Sequence, residues 1–308
     1  MAAPEHDVNA TFWEHLDALR SVIIHIVVAV LVMTLVAFCF KELLFEVVLA
    51  PKYDDFITYR MMRHLSESVG LASLAPSSFD VELINTGMAS QFLIHVKMAF
   101  LMAVLLVSPY ILYAIFSFVS PALYKNERMY SVRFIVGGYI MFIMGVLLSY
   151  LLIFPLTFRF LGTYQVSNDV KNLISLDSYI DTMMMLNLMM GILFELPILS
   201  WLFAKFGILK PVYMTQYRRH AIVVILIIAA IITPTSDAFT LTLVSLPIYL
   251  LYELSIIIVK HTYKPRTSDD DDEEESGHPA ANIALPEPEP TLALEDHVSS
   301  ADADKNKE

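Results

Sequence analysis

The stretch MAFLMAVLLVSPYILYAIFSFVSPALY, Met98 to Tyr124, holds 27 residues without a charged side chain. A bilayer core ~30 Å thick is crossed by ~20 helical residues. Lipid accepts only helices or closed barrels, because every backbone polar group must be paired internally. The run is far too long for a barrel strand of ~10 residues, so it reads as a membrane-spanning helix that starts near Gln91 and breaks at Pro121. Outward from it, Ser21–Phe40, Phe134–Phe158 and Asp181–Lys205 give three more spans, the last apolar except for Glu195. Ala221–Ile232 is a run of only 12, and Phe239–Val259 is interrupted by Pro247 and Glu253. The expected fold class is all-α: an integral membrane bundle of six transmembrane helices over residues 21–260, with short fifth and sixth helices.

Composition agrees. The 308-residue chain is 56% hydrophobic and 17% charged, with mean hydropathy +0.60, against about 45–50% and 25% in soluble domains. Residues 265–308 carry 14 of the 32 acids and 3 of the 20 bases, leaving 18 acids and 17 bases in residues 1–264. The pI of 5.1 therefore belongs to the tail. Asp269–Glu275 are seven consecutive acids, followed by Pro-Glu-Pro-Glu-Pro at 286–290. Such composition buries no core and predicts a disordered, solvating cytoplasmic tail. No nucleic-acid partner is expected, and the single cysteine, Cys39, excludes a disulfide framework.

Lys and Arg near the span ends orient the bundle. Arg20, Lys125, Arg128, Arg133, Lys205, Lys210, Arg218, Arg219, Lys260, Lys264 and Arg266 fall on one face; Lys41, Lys52, Arg60, Arg63, Lys97, Arg159 and Lys171 fall on the other. Both termini are expected in the cytoplasm. Between the first two spans, residues 41–90 read as a folded extracytoplasmic cap, its first apolar run (Leu43, Leu44, Phe45, Val47, Val48, Leu49) a short interfacial helix ended by Pro51. The link from Thr233 to Asp237 is a tight turn, read either as set below the outer surface, which would thin the bilayer locally, or as a plain short hairpin shielded by neighbouring helices.

Enzyme motifs are absent: no HExxH, no Gly-rich phosphate loop, no nucleophile elbow, and the nine His are scattered. No enzyme activity, cofactor or metal is expected. The informative residues are acids in or beside lipid, where a charge costs ~2.5–3.5 kcal/mol on insertion scales. Glu195 stands in the inner half of span four, and Pro197 bends the helix beside it. It reads as a transport relay, a docking point for another helix, or a hydrogen-bonded structural residue. At the cytoplasmic rim, Phe118, Pro121, Tyr124 and Glu127 follow span two. Before span one, Phe12, Leu16 and Leu19 share a helical face within an amphipathic segment of residues 1–20. Glu14, Asp17 and Glu127 are cytoplasmic acids at one membrane depth, able to receive a basic peptide, or plain solvated charges.

Six segments carry a resemblance: His15-Leu16-x-x-Leu19-Arg20, Ser108-Pro109-Tyr-Ile-Leu-Tyr113, Phe118-x-x-Pro121-Ala-Leu-Tyr124-Lys-x-Glu127-Arg128, Phe194-Glu195-Leu-Pro197, Thr233-Pro234-x-x-Asp237 and Pro247-x-Tyr249-x-x-Tyr252-Glu253. In this order they resemble TatC, the multi-spanning subunit of the twin-arginine protein translocase, over about residues 12–260. The resemblance implies a concave six-helix receptor in the bacterial inner membrane that binds twin-arginine signal peptides of folded cargo. It further implies docking of single-span TatA- and TatB-like subunits, assembly with copies of itself, and export driven by proton-motive force. Glu127 then matches the signal-binding glutamate, suited to bidentate arginine contacts. Leu16, Arg20, Phe118, Pro121 and Tyr124 match its surroundings, and Pro51 matches a proline of the first outer loop. Glu195, Thr233, Pro234 and Asp237 fall in the partner-docking region. Two positions depart from the family pattern. Ala18 stands where a glutamate is usual, with Asp17 and Glu14 the nearest acids, and Leu241 replaces a frequent Gln. The rival reading from the residues alone is a proton-coupled secondary transporter using Glu195.

Overall fold

The computed structural model describes residues 12–68, 81–119, 131–165, 167, 169, 172–205, 207–233 and 237–262. Helix α1 (Phe12–Phe38) has neither Gly nor Pro in 27 residues and runs unbroken. The amphipathic lead-in is thus the first turns of the first span itself. Helix α4 (Ser90–Val119) holds Pro109 in its interior. Proline has no N–H for the carbonyl four residues back, here that of Leu105, and the buried Ser108 hydroxyl donates to that carbonyl at 2.7 Å. A kink that would leave a bare carbonyl in lipid is satisfied by its neighbouring side chain.

The third span is in two pieces. Helix α5 (Ser131–Leu148) widens into a π turn at Ser149–Ile153 and resumes as α6 (Phe154–Thr163), with Pro155 in its first turn. Pro155 again leaves the carbonyl four residues back, Leu151, without its helical donor, and the Thr58 hydroxyl donates to it. The fourth span is split as Pro197 predicts. Helix α7 (Leu176–Leu193) stops, Phe194 and Glu195 form a turn, and α8 (Leu196–Lys205) continues. After the short α9 (Pro211–Gln216), α10 (Arg218–Ile232) has 15 residues and α11 (Ala238–Thr262) has 25. Five of the six spans are long and apolar enough to cross a membrane, and α10 is the exception. At 1.5 Å per residue it reaches about 22 Å. The expected shortness thus holds for the fifth helix. The sixth differs: it continues through Pro247 and past its apolar run to Thr262, so its full length is a span.

Helix α1 packs along α4, α5 along α7, α4 against α5, α8 against α11 and α10 against α11. The main core gathers Met98, Leu186, Met190, Val244 and Ile248. The described helices lie in one compact unit, residues 1–264.

The cap begins with α2 (Lys41–Leu49), whose ending leads into a 3-10 turn, Ala50–Lys52, containing the buried Pro51. Helix α3 (Ile57–Ser68) follows. Strand β1 (Leu83–Ile84) pairs in parallel with β2 (Ile174–Ser175), tying the approach to α4 to the approach to α7. Three tyrosines latch this cap to the bundle. The Tyr59 hydroxyl bridges to the carbonyls of Pro51 (3.2 Å) and Pro155 (2.9 Å). Tyr150 donates to Val47 O at 2.6 Å, and Tyr179 to Val48 O at 2.9 Å. Asp54 adds charge, pairing with Arg63 at 2.9 Å and lying 3.8 Å from Arg159, whose guanidinium stands 5.4 Å from the Tyr59 ring. Burial pushes the Tyr59 hydroxyl above its usual range, so it stays protonated and keeps donating.

Candidate functional site

At the end of the bundle away from the cap, the turn of α1 bearing Leu16, Asp17, Ala18 and Arg20 has exposed side chains. Helix α4 runs antiparallel to it: Phe38 stacks on His95, and Val30 packs with Ala103 and Val107. As α1 descends, α4 ascends, so this turn approaches the end of α4 that carries the half-buried Phe118. Pro121, Tyr124 and Glu127 lie outside the described residues, as does the side chain of Glu14.

In the membrane, Glu195 sits in the break between α7 and α8. The Glu195 carbonyl accepts from the N–H groups of Ile198 and Leu199 at 3.1 and 2.9 Å, starting α8. Its side chain is half-buried, and Oε1 is buried with no hydrogen-bond partner among the described residues. Gly138 on α5 faces it: a Cβ there would stand 3.2 Å from Glu195 Oε2. Seven residues on, Gly145 meets α7 more closely still, with Met190 O 2.6 Å from where its Cβ would be. These glycines let two spans approach backbone to backbone, a packing device typical of membrane helices. Sequence reading passed over them because glycine is scarce in the chain, although Gly138 and Gly145 fall one heptad apart.

At the turn before α11, Asp237 caps that helix, its Oδ1 accepting from the Thr240 N–H at 2.7 Å. Thr233 is 3% exposed, and the hydroxyls of Thr233 and Thr240 are buried without hydrogen-bond partners among the described residues. Pro234 lies outside the described residues. Leu241, at the departed Gln position, packs against the main core.

A further polar cluster joins the start of α10 to the second half of α11. Arg218 pairs with Glu253 Oε2 at 3.0 Å, and Tyr249 donates to its other oxygen at 3.1 Å. Tyr252 donates to Met214 O at 2.7 Å, holding α9 in place. The second embedded acid thus has its countercharge. Among the described residues no group of three or more His, Cys, Asp or Glu could hold a metal.

Comparison with known proteins decides the family. The model of the family described as Sec-independent protein translocase protein (TatC) matches residues 14–247. The TatC protein of Blattabacterium sp. subsp. Periplaneta americana is 34% identical over 258 residues, 83% of this chain and 97% of that one. This chain belongs to the TatC family. The TatC of Deinococcus radiodurans is 32% identical over 256 residues, covering 83% of this chain and 88% of its own. A crystal structure titled as the twin arginine translocase receptor TatC is similar with a TM-score of 0.65 and 30% identity, over 81% of this chain and 99% of that one. The TatC match encloses every candidate residue from Glu14 to Asp237 and leaves out Glu253 and the acidic tail. With its apolar spans, membership makes the chain a multi-pass membrane protein of the Sec-independent translocase.

Proposed function

We propose that this chain is the receptor subunit of a twin-arginine translocase, set in the bacterial inner membrane with both termini in the cytoplasm. The observation that carries the reading is its likeness to a solved twin-arginine translocase receptor over nearly the whole of that chain. In this reading Glu127 takes an arginine of the signal peptide, and a carboxylate reads a guanidinium in two parallel hydrogen bonds. Leu16, Asp17 and Arg20, exposed on α1, and Phe118, near the end of α4, complete the binding site in this reading together with Glu14, Pro121 and Tyr124. Asp17 or Glu14 supplies the second acid that Ala18 lacks. Glu195 docks a polar group from the helix of a TatA- or TatB-like single-span partner, which its buried Oε1, without a hydrogen-bond partner among the described residues, supports. Thr233, Pro234 and Asp237 dock the partner's outer end, which the Thr233 hydroxyl, buried without a hydrogen-bond partner among the described residues, supports. Several copies assemble, and proton-motive force drives export of folded cargo.

The test is photo-crosslinking of a twin-arginine signal peptide to the loop around Glu127, with binding measured in parallel. A hydrogen bond to a charged group is worth ~1.5–3 kcal/mol, so Glu127→Ala weakens binding by about 10- to 100-fold, and Glu127→Gln by nearly as much. Unchanged binding in Glu127→Ala rejects the assignment. The same assay on Asp17→Asn and Glu14→Gln identifies the second acid.

A further inference from the structure

Three helices begin around one cavity. It has a volume of about 440 Å³ and is lined by Lys41, Phe45, Gln91, Phe92, His95 and Leu176. Lys41 is the first residue of α2, Gln91 and Phe92 are in the first turn of α4, and Leu176 is the first residue of α7. The first turn of a helix presents free N–H groups and the positive end of its dipole. Of these three, α2 has no side-chain cap and carries Glu42 in its first turn; α4 has no acid there, but its Ser90, Phe92 and Leu93 N–H groups bond to the carbonyls of Gly87 and Ala89; and α7 is capped by Ser175 and carries Asp177.

His95 is the independent sign that something is held there. It is 8% exposed, stacked on Phe38 at 3.9 Å, and its Nε2 is buried with no hydrogen-bond partner among the described residues. Lys41 and Phe45, four apart, share the face of α2 that lines the cavity. The acids Glu42 and Glu46 repeat at the same interval on the next face and line a separate groove that shares Lys41. Asp181, lower on α7, is paired with Lys97 at 2.6 Å. The Lys41 ammonium, the Gln91 amide, the His95 imidazole and the uncapped first turn of α2 are a donor set for a phosphate-type anion.

The walls specify its source. Phe45, Phe92 and Leu176 are apolar, and Phe92 is 63% exposed. The cavity opens where α1 ends at Phe38, the level at which a lipid headgroup meets its acyl chains. A free phosphate has no use for such walls. We propose that this cavity holds the phosphodiester headgroup of a phospholipid in the leaflet at the cap end, with an acyl chain lying against Phe92. The site is independent of the signal-receptor reading.

The test uses the full-length protein purified in detergent micelles and native mass spectrometry of retained phosphatidylglycerol. Lys41 is exposed, so Lys41→Ala leaves the core intact; it lowers retention by about tenfold, the loss expected for one charge-assisted bond. His95→Phe keeps the ring stack on Phe38 and lowers retention several-fold, and the charge-matched control Lys52→Ala leaves it unchanged. Diacylglycerol, which lacks the phosphate, is retained weakly, and inorganic phosphate does not displace the lipid. Equal losses in Lys41→Ala and Lys52→Ala, or equal retention of diacylglycerol, overturn the proposal. So does displacement by inorganic phosphate, which would mark a free-anion site. No lipid retained by the unmodified protein overturns it too, as expected if a partner protein fills the cavity.

Discussion

Two glycines on one helix make a matched experiment. A Cβ added at Gly145 would lie 2.6 Å from Met190 O, 2.8 Å from Phe194 Cγ and 2.9 Å from Phe194 Cβ. Ordinary contact begins at 3.4 Å, so α5 and α7 must part by about 0.8 Å, and the obstacle is helix backbone that no rotamer change can move. A Cβ added at Gly137 meets only Ile198 Cδ1, at 3.6 Å, an ordinary contact. Both substitutions to Ala gain helix propensity, ~0.8–1 kcal/mol. Only Gly145→Ala carries the overpacking cost, ~1–3 kcal/mol. The two variants should therefore differ by ~1–3 kcal/mol, with Gly137→Ala neutral or slightly stabilised. The assay is unfolding of the detergent-solubilised protein in mixed micelles, both variants side by side. Equal stability would refute the claim that α5 and α7 meet backbone to backbone at Gly145.

Three other outcomes are expected. Glu195→Gln keeps a donor and an acceptor and should retain most export of folded twin-arginine cargo. Glu195→Ala should lose the ~0.6–2 kcal/mol of an intramembrane hydrogen bond, whereas a proton relay would make both variants equally inactive. For Tyr59, burial raises the hydroxyl above its ordinary value of 10.0, so its contribution is complete below that pH and declines as pH rises beyond it. Limited proteolysis of the cap should accelerate above that pH in the parent, and Tyr59→Phe should weaken the cap at neutral pH already. Truncation after Lys264 should leave membrane insertion and topology unchanged, read by protease protection; loss of assembled protein would give the acidic tail a structural role.

The spans were legible because lipid imposes a one-dimensional rule, an uncharged run of sufficient length, and the run from Met98 to Tyr124 satisfies it without any tertiary information. Pro51 ending α2 and Pro197 splitting the fourth span were legible for a similar reason: a missing N–H acts within one turn. Length beyond the apolar run was not, and α11 extends to Thr262 where hydropathy alone stops it at Val259. The latches were illegible altogether. Tyr59 reaches a carbonyl 96 residues away and Tyr179 one 131 away, and nothing local marks either tyrosine as a donor. The two-residue strands are too short to have a period. In the candidate site, Glu195 stood out as a charge in lipid. Its surroundings did not, since Gly138 makes room for the carboxyl by what it lacks.

The attachment of the cap has an evolutionary asymmetry. In its hydroxyl bonds described above the acceptors are main chain: Val47, Val48, Pro51, Leu151 and Pro155 each contribute a carbonyl and no side-chain atom. Any amino acid at those positions, proline included, brings the same oxygen, so no single substitution there deletes a bond directly. The donors, Thr58, Tyr59, Tyr150 and Tyr179, have no such latitude; Phe at any of the three tyrosines removes a hydroxyl while keeping the ring. The bonds themselves therefore survive a change of side chain at the acceptor positions, where only packing of buried residues such as Val48 and Pro51 restricts composition, while four hydroxyls keep the cap seated in one place.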